Sequence, residues 1–125
     1  VGEYDDGRAA LRAEIEAFRQ GFGQPDLLTA ALRDALVLLP VTDDGRILIS
    51  TVHGIDWLCA FTDEAEYAAY LAARGEIASA RYQALFGGRL LDEIVPALMR
   101  LTGVVIDAAG TMPMAFPPDA ERVAS

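Results

Sequence analysis

The sequence has 125 residues, with ten basic side chains against nineteen acidic ones for a net charge of −9, and it is 53% hydrophobic against 23% charged. That length and apolar content fit one domain with a real core and exclude a disordered chain. The acidic excess repels phosphate, and five arginines in each half leave no concealed basic patch, so nucleic acid and anionic membrane are both poor partners.

Asp5 and Asp6 offer N-cap oxygens to a first helix whose apolar stripe runs Leu11, Ile15, Phe18, Phe22, ending at Gly21 and Gly23. Pro25 suits a first helical turn, and Leu27, Leu28, Ala31 and Leu32 form the face of a second helix that stops near Asp34. From Ala35 to Val41 the chain is too short and too continuously apolar for a surface helix and reads as a buried strand, with Pro40 at its end or facing an unpaired edge. Asp44-Gly45 signals a hairpin, residues 47–53 the return strand, and residues 53–56 a second turn into Trp57-Leu58-Cys59-Ala60-Phe61. This is a three-stranded antiparallel meander. Pairing His53 with Trp57 would place Ile47, Ile49 and Thr51 on the face of Trp57, Cys59 and Phe61.

Thr62 is positioned to cap the next helix, which packs through Tyr67, Tyr70 and Leu71 and stops at Gly75. Residues 76–86 are ambiguous, although Tyr82, Ala84 and Phe86 alternate as in a short strand. Gly87-Gly88 breaks the chain. Leu90, Leu91, Ile94, Val95 and Leu98 restore helical spacing, with Pro96 expected to kink or restart the helix, and residues 104–106 read as a final buried strand. Residues 111–118 hold three prolines and form an extended apolar segment. The expected fold class is α+β, a single domain in which helices pack mainly on one face of an antiparallel β-meander. Its organisation is an N-terminal helix within 1–24, the main domain over 25–118 and a C-terminal tail at 119–125.

The chemistry-bearing residues are few. One histidine and one cysteine cannot close a structural zinc site, and Asp43 and Asp44 read as turn residues without the spacing of a calcium loop, so no metal is expected. Cys59 and His53 are the one candidate thiolate–imidazole pair, but the pairing above leaves them diagonal, and Cys59 sits in an apolar strand where cysteine behaves as a small hydrophobe. His53 reads as a solvated turn histidine. The acid pairs at 5–6, 63–64 and 92–93 stand at helix starts, where the macrodipole accounts for them. The glycines fit neither a dinucleotide-binding turn nor a P-loop, and no cofactor is expected. Trp57 reads as a core anchor. Met112, Met114 and Phe116 either strap the tail across its own sheet or offer an adaptable surface to a partner, and they are the partner-binding candidates. A lone cysteine and the lack of any long apolar run or basic leader point to a cytoplasmic protein with no membrane association.

Taken in order, Leu38-Leu-Pro-Val41, Trp57-Leu-Cys-Ala-Phe-Thr-Asp63, Arg89-Leu-Leu-Asp92, Gly103-Val-Val-Ile-Asp107 and Pro113-Met-Ala-Phe-Pro-Pro118 resemble the N-terminal domain of the SseB ("enhanced serine sensitivity") family in its actinobacterial form, over about residues 26–118. The alanine-phenylalanine-threonine-aspartate element is the best single signature. The resemblance implies no catalytic residues, since the family is named for a growth phenotype. It implies an accessory protein, in some relatives associated with type VII secretion. The expectation is a non-enzymatic interaction or accessory domain, linked to such secretion or to regulation, that binds a protein, a basic or secretion-associated client, or itself. A small enzyme using Cys59 as nucleophile and a carrier of an apolar small molecule are the alternatives.

Overall fold

In the computed structural model, residues 7–75, 81–98 and 100–118 are described. Helix α1 (Arg8–Arg19) buries Leu11 and Ile15, and α2 (Pro25–Asp34) begins on Pro25 and buries Leu28 and Leu32. The residue before α1 is Gly7; Asp5 and Asp6 lie outside the described residues. The predicted α1 stripe runs further than the helix does. At Gly21 (φ 90°) the chain turns, and the amides of Phe22 and Gly23 both donate back to the Ala17 carbonyl, so Phe22 leaves the helix face. Phe22 is consequently exposed rather than buried, and Phe18 on α1 and Leu27 on α2 are exposed as well.

Strand β1 (Leu36–Pro40) ends on its proline, as expected, and pairs antiparallel with β4 (Tyr82–Phe86). The hairpin that follows is tied by the Thr42 amide donating to the Arg46 carbonyl and by a bridge between Val41 and Ile47. Strands β2 (Ser50–Val52) and β3 (Ile55–Ala60) form the next hairpin, around His53 (φ 52°) and Gly54 (φ 80°). Positive φ at both central residues is the two-residue turn whose twist matches the strands. The register is therefore three residues away from the predicted one: Ser50, not His53, stands opposite Trp57. An odd shift exchanges faces, so Thr51 lies beside Asp56 and donates its hydroxyl to that carboxylate at 2.7 Å.

Helix α3 (Glu64–Arg74) is capped by Asp63, whose side chain accepts from the Glu66 amide at 2.8 Å, and closes on Gly75 in the left-handed region. The cap is one residue later than Thr62 because the Thr62 hydroxyl is engaged elsewhere. In β4 the alternation of Tyr82, Ala84 and Phe86 is real but faces solvent, while Leu85 enters the core. Gly87 and Gly88 start a helix instead of breaking the chain. Helix α4 (87–97) holds a π turn at Leu90–Ile94, where the Val95 amide reaches back to the Leu90 carbonyl just before Pro96. Pro96 thus acts through a widened turn, and the helix ends at Ala97. Gly87 packs so closely on α2 that a Cβ there would enter the Leu32 carbonyl oxygen.

Strand β5 (Thr102–Ile106) is the expected buried strand. It runs parallel to β3, while β6 (Met114–Phe116) adds antiparallel to it, giving the order β2-β3-β5-β6. The β1–β4 pair joins this sheet through mutual backbone bonds between Leu38 and Phe61. Helices α1, α2 and α4 cover one face, over Val37, Leu39, Leu58, Ala60, Val104 and Ile106. Among the described helices, α3 alone lies on the other, closing Leu38, Phe61 and Tyr67 into a smaller cluster. The α+β class with helices mainly on one face describes the molecule.

Candidate functional site

The parallel strands β3 and β5 end side by side, and their next residues are bonded. Thr62 donates its amide to one carboxylate oxygen of Asp107 and its hydroxyl to the other, each at 2.8 Å. Arg12 on α1 donates to the Thr62 hydroxyl at 2.8 Å and to the Asp63 carboxylate at 2.6 Å. Burial pushes the Asp107 carboxyl up despite its two Thr62 bonds. Glu66, seated over Gly110, is raised by burial first and then by the neighbouring carboxylates of Asp107 and Asp63. Asp63 is held low, chiefly by the Glu66 amide and also by Arg12. Among the described residues, no buried side-chain nitrogen or oxygen lacks a hydrogen-bond partner, so the network satisfies the junction it closes. Among the described residues, no group of three or more His, Cys, Asp or Glu side chains converges as a metal site.

Cys59 lies on the opposite face of β3, half-buried. Its neighbours are Tyr70 and Arg74 on α3, with the Arg74 guanidinium 5.3 Å from the centre of the Tyr70 ring. Burial raises the thiol pKa; the hydrogen bond with Tyr70 and the positive charge of Arg74 pull the other way without reversing it. His53 sits at the exposed tip of the β2–β3 turn, and four residues of strand from Ile55 to Cys59 already span ~13 Å. The two residues weighed as a catalytic pair are not brought together. Trp57 packs its ring against Gly103, where a Cβ would come within 2.5 Å of it, but the residue is half-buried and belongs to neither core cluster, so it braces the sheet surface rather than anchoring the core as the sequence suggests.

The three tail residues divide. Met114 is 9% exposed and belongs to the main core, while Met112 and Phe116 are half-buried at its margin. The strap is tied to α1, since Arg19 donates to the Pro113 carbonyl at 3.2 Å. That bond joins two surfaces the sequence kept apart: the strap and the corner holding Phe18 and Phe22, the latter 81% exposed. Arg12 and Phe22 escaped the sequence reading. The first looks like any helix arginine, and the second matches the buried stripe by spacing alone.

A family model for the SseB protein N-terminal domain matches residues 11–121. The chain belongs to that family. Two of its quoted motifs, alanine-phenylalanine-threonine-aspartate and glycine-valine-valine-isoleucine-aspartate, are the segments joined by the Thr62–Asp107 bonds. Comparison with curated proteins and with solved structures returns no significant match to either. No helix among the described residues is long and apolar enough to cross a membrane.

Proposed function

We propose that this SseB-family domain is a non-enzymatic protein-interaction or accessory domain whose client meets the face formed by the α1–α2 corner and the strap. The observation that carries this reading is the Arg19–Pro113 bond, which ties the end of α1, next to exposed Phe18 and Phe22, to the strap that holds Met112 and Phe116. Exposed aromatic side chains are common at recognition surfaces, and a half-buried methionine such as Met112 adapts to a partner at low cost. Met114 supports the strap from beneath, so direct contact falls to Met112 and Phe116.

The client is a basic protein, since the chain carries −9 and its described arginines are largely engaged within the fold, Arg12 with Asp63, Arg33 with Asp92 and Arg100 with Asp56 among them. A secretion-associated protein is the class the family resemblance suggests. Affinity capture with the folded chain as bait tests the reading. A discrete basic protein retained by the wild type and lost with Phe22→Ser or Phe116→Ser supports it, and unchanged recovery by both variants removes this face from the account.

A further inference from the structure

The sequence contains no asparagine, so rearrangement of the chain through a cyclic imide falls to aspartate followed by glycine, where no Cβ shields the attacking amide. That pair occurs at residues 6–7, of which Asp6 lies outside the described residues, and at residues 44–45. Asp44 and Gly45 stand in the exposed hairpin turn that leaves β1, with Gly45 in the left-handed region (φ 85°). The reaction asks two things of this turn. The Gly45 nitrogen must reach the Asp44 side-chain carbon, and the carboxyl must be protonated so that its hydroxyl can leave.

The folded turn opposes both. The Gly45 amide donates to the Thr42 carbonyl at 2.9 Å, which directs it away from the side chain it would attack. The Asp44 carboxylate is held at both oxygens, one accepting from the Thr42 hydroxyl and the other from Arg46 Nε at 3.1 Å. The Thr42 hydroxyl itself accepts from the Arg46 amide at 2.9 Å, so it is fixed in place. Its bond first, with a smaller part from Arg46, holds the Asp44 carboxyl below the ordinary carboxylate range and keeps it ionised. Arg81 steadies the turn from β4, donating to the Asp43 carbonyl at 2.6 Å.

We infer that Asp44-Gly45 is a site of isoaspartate formation, and that the clamp of Thr42 and Arg46 on Asp44 slows the reaction in the folded chain. The Gly45 nitrogen bonds to Asp44 Cγ, and the carboxyl hydroxyl leaves with the amide proton as water. Water then adds to the main-chain carbonyl carbon of the imide, whose bond to nitrogen breaks while the nitrogen regains a proton. The chain now runs through the former side-chain carboxyl and is longer by one methylene. A turn closed by the Thr42 amide on the Arg46 carbonyl, and by the Val41–Ile47 bridge, has no room for that extra atom in register. The two parts of the clamp differ in strength. The Arg46 side chain is 81% exposed, so its share is screened by salt, whereas the hydroxyl bond is not.

Ageing of the full chain at body temperature and mildly acid pH tests the inference, with a peptide of residues 40–48 as the unclamped reference. Peptide mapping counts the product, because the isoaspartate form elutes apart from the aspartate form and resists an aspartate-specific protease. The wild type converts at least about tenfold more slowly than the peptide. Thr42→Val speeds conversion by at least about threefold, and Thr42→Ser, which keeps the hydroxyl, restores the wild-type rate. Arg46→Gln gives a smaller rise of about twofold, which molar salt reproduces in the wild type. A wild type that converts as fast as the peptide, or a folded Thr42→Val chain no faster than the wild type, overturns the inference. Should Thr42→Val fail to fold, Arg46→Gln decides, since Arg46 lies on the surface and an unchanged rate there is the contrary result. No client enters the measurement, so its outcome is independent of the interaction reading.

Discussion

Thr62 gives both its amide and its hydroxyl to the carboxylate of Asp107, 45 residues further along the chain, and so locks the end of β3 to the end of β5. Asp107 holds a left-handed backbone (φ 53°) to do it. Asp107→Ala strands two buried donors and places alanine in a strained conformation, and we expect a loss of about 3 kcal/mol in chemical unfolding. Asp107→Asn tolerates the backbone and keeps one acceptor, so about 1 kcal/mol is expected. Equal losses for the two variants would show that the carboxylate bonds are not what holds the junction.

The same junction sets a pH dependence. Glu66 and Asp107 have carboxyls raised in the folded protein, so on acidification the folded state takes up protons before the unfolded state does, and stability rises from neutral pH toward the ordinary carboxylate range near pH ~4. Asp63 has the opposite sign. Its carboxyl is held low, so its contribution is present above the ordinary range and is lost as the pH falls further. Thermal unfolding followed against pH should pass through a maximum on the acid side of neutrality, with a smaller rise in Glu66→Gln. A midpoint that only falls on acidification contradicts this.

Gly103 accommodates the Trp57 ring, and Gly87 the α2 backbone. Gly103→Ala forces the ring aside, and we expect a cost of about 2 kcal/mol with a changed emission from the single tryptophan. Gly87→Ala meets backbone that cannot yield and should cost more. Wild-type emission in folded Gly103→Ala would mean that the ring does not lie where we place it.

Cys59 should be slow to react. With burial raising its thiol pKa, alkylation by iodoacetamide near neutral pH is expected to be at least about tenfold slower in the folded protein than in denaturant. Rapid labelling of the folded chain would reopen the case for a nucleophile.

Periodicity located nearly every element, because burial on one face leaves a regular mark in strands such as Leu36–Pro40 and in helices such as Pro25–Asp34. Local spacing failed where geometry depends on a turn or a distant partner. The His53-Gly54 turn fixed a β2 register that alternation alone could not, and the α1 stripe gave no sign that the chain would turn at Gly21 and leave Phe22 in solvent. Arg12, Thr62 and Asp107 are separated by tens of residues, and only the parallel pairing of β3 with β5 makes them neighbours. The strap was legible as an extended apolar segment, but its tie to Arg19 at the end of α1 was not.

The most direct measurement of the interaction reading is quantitative capture of a basic partner by the folded chain, comparing the wild type with Phe22→Ser at matched unfolding midpoints. An exposed aromatic anchor at a binding face should carry at least about 1.4 kcal/mol, so recovery should drop about tenfold. Equal recovery by both chains, or none above background by either, contradicts it.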